Sequence, residues 1–155
     1  RDAESFAGMG WSFDNWPRGQ YFTNTLVGTR PGGAIAAAWA VMKYLGESGY
    51  QRITQRVIAT RSALQTGTSA LGLATFGNPK LSILAYGSEE HNISDIGVRM
   101  TARGWLVGHV TIPPGFHHML NLTHEPAIPR YLNDLSECMA QASSSKKVDK
   151  LSAQY

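Results

Sequence analysis

The 155-residue sequence predicts an α+β fold, an antiparallel sheet with helices on one face. Three observations predict it. Apolar stretches of strand length are mixed with longer stretches of helical period. The strand-like stretches are joined by tight turn signals, Gly77-Asn78-Pro79-Lys80 and Pro113-Pro114-Gly115, which suit hairpins. Apolar residues make up 43% of the chain, enough for a real core in one domain of this length.

The elements follow in order. Residues 1–27 are rich in aromatic residues and glycine and have no clear period, so they predict an extended arm with at most a short strand over 21–27. Phe6, Trp11, Phe13, Trp16, Tyr21 and Phe22 must pack on something, since each buried aromatic is worth roughly 2–3 kcal/mol. Gly28 to Gly33 is a tight turn, and Pro31 marks a helix start. Residues 34–45 predict a helix apolar nearly all round and buried on most sides, with Trp39, Met42 and Leu45 as core. Gly46 to Gly49 breaks it. Residues 50–65 predict an amphipathic helix with Ile53, Val57, Ile58 and Leu64 near one stripe. Strands are expected over 71–76, 81–86, 105–112 and 116–122. Asn92 or Ser94 caps a helix that Gly104 ends, and Thr123 caps a last helix over 125–142. The domain plan is thus an arm and turn (1–33), linking helices (34–66), a small α+β domain (67–142) and a polar, flexible tail (143–155).

Composition narrows the function. Charged residues are only 16% of the chain, a low share that suits a surface meeting another protein segment. The net charge is +3 and the one dense basic pair is Lys146-Lys147, a poor basis for nucleic-acid binding. The single Cys138 allows no internal disulfide, which suits a cytoplasmic or cytosol-facing, reducing compartment, and reads as a small buried hydrophobe. The apolar run that starts at Ala34 is far short of the ~20 residues that span a bilayer. The N-terminus has no signal-peptide pattern and no Met, so a processing or fragment boundary is expected at Arg1.

One stretch suits a ligand. The turn from Gly28 to Gly33 precedes a helix, where free backbone N–H groups and the helix dipole attract anions. Glycine allows close approach, the Thr29 hydroxyl adds a donor, and Arg30 offers a guanidinium fork. The alternative is a plain turn with Arg30 in a structural ion pair. The five histidines, His91, His109, His117, His118 and His124, lack zinc-protease spacing, and no metal site is expected. His117 and His118 point to opposite faces of one strand, and His109 could pair with either across the hairpin. Glu89-Glu90 reads as a solvated turn.

The stretch from Tyr21 to Gly33, with its Gly28-Thr29-Arg30-Pro31-Gly32-Gly33, resembles a segment of the sphingosine-1-phosphate lyases, which carry Gly-Ser-Arg-Pro-Gly-Gly there. The likeness continues at Ala38-Trp39-Ala40, Gly46-Glu47-Ser48-Gly49-Tyr50, Phe76-Gly77-Asn78-Pro79, Met100-Thr101-Ala102-Arg103-Gly104-Trp105 and Pro113-Pro114-Gly115-Phe116-His117, in order and without a large gap. Group II amino-acid decarboxylases share a looser plan.

The resemblance implies the C-terminal part of a fold-type-I pyridoxal 5'-phosphate enzyme of sphingolipid metabolism, a homodimer that cleaves a carbon–carbon bond of a phosphorylated sphingoid base. Its partners would be an upstream large domain and a second subunit. The family's Gly-Ser before the arginine reaches the cofactor phosphate of the neighbouring subunit, which carries over to Gly28 and Thr29. Arg30 and Tyr21 are weaker candidates for the substrate. The family's cofactor-bearing lysine lies in a His-Lys pair upstream. None of Lys43, Lys80, Lys146, Lys147 and Lys150 stands in such a pair, so the chain is expected to have no catalysis, and no catalytic residue, of its own. The alternatives are part of an amino-acid decarboxylase or a non-catalytic partner-binding module.

Overall fold

A computed structural model describes residues 2–25 and 27–142. The expected flexible tail lies outside the described residues. The chain divides into two compact units, Arg1–Gly46 and Glu47–Tyr155.

The first unit is more ordered than the extended arm expected from its lack of period. Asp2 caps a short helix, α1 (Ala3–Ala7), its carboxylate accepting from the Ser5 N–H at 2.6 Å. An antiparallel hairpin follows, β1 (Trp11–Phe13) on β2 (Tyr21–Thr23). Its turn closes at Gly19, whose φ of 98° a side chain would strain. Phe13 and Tyr21 face each other in register and their rings stack at 5.2 Å. Cross-strand aromatic contact thus supplies the order that periodicity could not predict. The next element, α2 (Gly32–Ala70), is interrupted at Gly46, where φ is 58° and ψ −177°.

The stretch of α2 before Gly46 corrects an expectation. Trp39 is 60% exposed and Met42 53% exposed, and only Leu45 is partly covered. An all-round apolar helix is buried only if other segments surround it, and nothing in the described first unit does so. Gly46 alone departs from helical geometry; Glu47 to Gly49 already belong to the next helical stretch.

The second unit holds the core. The stretch of α2 from Glu47 half-buries Ile53, Val57 and Ile58 and fully buries Leu64, the amphipathic stripe expected. It ends at Gly72 (φ 82°). Then come β3 (Ala74–Thr75), β4 (Ile83–Gly87), α3 (Ile93–Ala102), β5 (Gly108–Val110), β6 (Gly115–Met119), a 3₁₀ turn (Leu122–Ala127) and α4 (Ile128–Gln141). The four strands form one antiparallel sheet in the order β3-β4-β6-β5. Alternation along β4 buries Leu84 and Tyr86 and leaves Ile83 exposed, so one sheet face meets the helices. Leu84, Tyr86, Phe116, Ile96, Met100 and Leu135 are fully buried there, with Cys138 among them as a small hydrophobe. The α+β class with helices on one face is therefore the observed one.

Local chemistry fixes the ends. Asn92 caps α3, accepting from the Asp95 N–H. Gly104, at φ 88°, lets the Trp105 N–H return to the Met100 carbonyl and close the helix. β5 is shorter than the strand expected over 105–112. Trp105 leaves the sheet direction to pack edge-on against Tyr131 and to donate its indole N–H to Asp134 at 2.8 Å. Asp134 also accepts from Arg103, which reaches Glu137 at 2.7 Å, and this network ties the end of α3 to α4. The expected Thr123 cap is corrected too. Asn121 caps the 3₁₀ turn that precedes the last helix, its side chain accepting from the Thr123 N–H while His124 accepts from the Asn121 N–H, and α4 itself has no side-chain cap. The first turn after it is 3₁₀ with Pro126 inside, and α4 proper starts with Pro129 in its first turn.

Candidate functional site

The turn expected to bind an anion is a non-helical stretch that leads into α2, whose first residue is Gly32. The first backbone N–H groups of a helix have no partner within it, and they lie at the positive end of its dipole. A Cβ placed on Gly28, Gly32 or Gly33 would meet nothing within 4 Å. The backbone there is open to a ligand.

Within the same unit, Gly28 and Arg30 line a cavity of about 770 Å³ with Trp11, Phe13, Tyr21 and Thr23. The structure thus brings together Gly28, Arg30 and Tyr21. Thr29, between the first two, is exposed and does not line the cavity. The walls are aromatic on the hairpin side. The lining residues carry backbone N–H groups and, at Arg30, a guanidinium, and Thr29 stands between two of them in sequence. Among the described residues no carboxylate lines the cavity. Such a donor set suits a phosphate and would repel no anion. Thr23 is already engaged: its hydroxyl accepts from the Thr25 N–H at 3.2 Å.

The histidines lie elsewhere. His109 opposes Phe116 in the β5–β6 register and packs edge-on against its ring, so it pairs with neither His117 nor His118. Burial lowers its pKa. The single-residue offset between strands puts Gly108, not His109, opposite His117. Among the described residues no group of three His, Cys, Asp or Glu side chains is placed to hold a metal ion. Glu89 and Glu90 are exposed in a turn, as expected.

Sequence reasoning missed one polar cluster. His118 Nε2 lies 3.0 Å from the Tyr86 hydroxyl and 3.2 Å from that of Tyr131, and the two hydroxyls are 2.6 Å apart. Tyr86 and Tyr131 look like ordinary core residues in sequence, and no local spacing connects three residues on three elements. Burial lowers the pKa of His118 to about 4, with His117 and His124 adding to the effect. Burial also raises the pKa of both phenols, the neighbouring Tyr131 adding to this for Tyr86.

Comparison with known proteins places the chain. No protein-family model matches it. It is 32% identical over 136 residues to sphingosine-1-phosphate lyase 1 of Mus musculus, covering 86% of this chain and 24% of that protein. It is 32% identical over 97 residues to a probable L-tyrosine/L-aspartate decarboxylase of Methanothermobacter thermautotrophicus, covering 63% of this chain and 27% of that one. The solved structure of Burkholderia pseudomallei sphingosine-1-phosphate lyase superposes with a TM-score of 0.80 at 28% identity, over 92% of this chain and 33% of that one. The chain therefore spans about a quarter of the length of the curated relatives it matches.

A four-stranded antiparallel sheet with helices on one face, preceded in sequence by a long helix and an aromatic arm, is the small C-terminal domain architecture of a fold-type-I enzyme. More narrowly, the chain is homologous to the sphingosine-1-phosphate lyases and matches their C-terminal portion. Among the described residues, no helix is long and apolar enough to cross a membrane.

Proposed function

We propose that this chain is the C-terminal part of a pyridoxal 5'-phosphate-dependent carbon–carbon lyase that acts on a phosphorylated sphingoid base, and that it is not catalytic alone. The observation that carries the reading is the open glycine turn at the start of α2, with Gly28 and Arg30 on the aromatic cavity. The turn has the donors a phosphate needs, and the homologous proteins are named as lyases of a phosphorylated sphingoid base.

In this reading Gly28 offers its backbone N–H to the cofactor phosphate, and the Thr29 hydroxyl donates a second bond. The cofactor, when bound, supplies the electron sink for bond cleavage. Arg30 orders the turn and adds positive charge at the mouth of the cavity. Tyr21, stacked on Phe13, presents an apolar wall to the substrate. The completed site combines this turn with the upstream large domain and a second subunit. Lys43 and Lys80 fit no covalent role. Both are exposed, and neither lines the cavity.

The decarboxylase relative favours a second reading, in which the same C-terminal part serves an enzyme that acts on an amino acid. Turnover by the enzyme completed with its upstream half separates the two, through release of an aldehyde from the phosphorylated base or of carbon dioxide from an amino acid.

The first test is on the 155-residue chain. Pyridoxal phosphate is added, the absorbance spectrum recorded, and the mixture reduced with borohydride for intact mass. The expected result is no lasting imine band and no stoichiometric adduct at a single lysine. A stoichiometric, site-specific adduct at Lys43 or Lys80 would overturn the proposal that this chain needs an upstream half.

A further inference from the structure

We infer that Tyr86, His118 and Tyr131 form an acid-labile latch in the core of the second unit, which fixes α4 to the sheet only while the imidazole is neutral. The three residues come from three elements: Tyr86 from β4, His118 from β6 and Tyr131 from α4. Their polar atoms form a triangle with sides of 2.6, 3.0 and 3.2 Å. Tyr86 is fully buried and Tyr131 is 6% exposed, while His118 is half-buried, so bulk water has little access to the two hydroxyls. The rings are also in contact: His118 stacks on Tyr86 at 5.5 Å and meets Tyr131 edge-on at 5.3 Å.

Counting protons shows why charge matters. Two hydroxyl protons serve the triangle. One hydroxyl donates to the other, and the second donates to Nε2, provided that Nε2 carries a lone pair. The neutral imidazole must then hold its proton on Nδ1. Protonation turns Nε2 into a donor. One hydroxyl proton then has no acceptor inside the triangle, and a buried unmatched donor costs stability. A positive charge also enters a site with no opposite charge to meet it. The titratable groups facing His118 are Tyr86 from β4, Tyr131 from α4, His117 on its own strand and His124 from the 3₁₀ turn. None of these is a carboxylate that could pair with a charged imidazole. Among the described residues no ion pair involves His118.

The sign of the pH effect follows. The folded-state pKa of His118 is lowered from 6.5 to about 4, so the unfolded chain binds the extra proton first. The latch contributes its full stability above pH 6.5 and loses it progressively as pH falls to about 4.

The test uses the 155-residue chain with ¹⁵N-labelled histidine. Side-chain NMR is expected to find His118 as the Nδ1–H tautomer, still neutral at pH 5.5, where an unperturbed imidazole is mostly charged. An Nε2–H tautomer, or a His118 midpoint near 6.5, would overturn the latch. Urea unfolding at pH 7 and pH 5 supplies a second readout. The drop in midpoint between the two should shrink in His118→Phe, which fills the space without titrating. An unchanged drop in a folded His118→Phe would also overturn it. If that variant does not fold, the NMR result on the unsubstituted chain decides alone.

Discussion

Gly87 and Gly115 face each other where β4 ends and β6 begins. A Cβ on Gly115 would stand 2.5 Å from the Tyr86 carbonyl, and one on Gly87 would stand 2.9 Å from the Gly115 Cα. The obstacles are backbone atoms of a paired strand, which cannot step aside as a flexible side chain can. The ring of Phe76 also occupies the gap that both glycines leave. Gly115→Ala is therefore expected to lower stability by about 1–3 kcal/mol, read as a lower urea midpoint with an unchanged slope. The sequence flagged Gly115 only as a turn residue. Its tighter role depends on what crosses it, and Phe76 is far away in the chain. The same distance in sequence hid the Tyr86–His118–Tyr131 cluster. The glycines and Arg30 of the turn before α2 are contiguous, so the sequence could at least group them.

At the scale of elements, helix ends and amphipathic stripes were readable because their causes are local. Asn92, Gly104 and the stripe of α2 from Ile53 to Leu64 fall where cap chemistry and period put them. Ile128, Leu132, Leu135 and Met139 of the last helix lie in or against the core. The cap expected at Thr123 was misplaced because Asn121, two residues earlier, also bears an acceptor; it caps the 3₁₀ turn that precedes that helix, and α4 itself has no side-chain cap. The structure selects Asn121, whose partner His124 completes the reciprocal pair. Asn121→Ala is expected to cost about 1 kcal/mol, against about 2–5 kcal/mol for Leu135→Ala, fully buried in α4. Thermal unfolding of the two variants side by side checks the order. β1 and β2 were read only in part, since three-residue strands are too short to show a period.

Over the whole molecule, the large buried side chains from Leu64 to Cys138 all belong to the unit that begins at Glu47. The first unit exposes Phe6, Trp11, Trp16, Phe22, Ile35 and Trp39. Cooperative stability should therefore reside in the second unit. A chain starting at Glu47 is expected to keep its helical circular dichroism per residue and a single unfolding transition; loss of that transition would mean that the first unit is needed for the core. The sequence by itself determined the α+β class, the tight turns and the ends of α3, because each depends on period or on residues a few positions apart. Only the tertiary structure decided that the apolar helix before Gly46 is exposed, that His109 meets Phe116, and that two tyrosines and a histidine come within hydrogen-bond distance of one another. Those outcomes depend on strand register and on which surfaces are present to bury a side chain, and contacts between residues distant in sequence leave no local pattern to read.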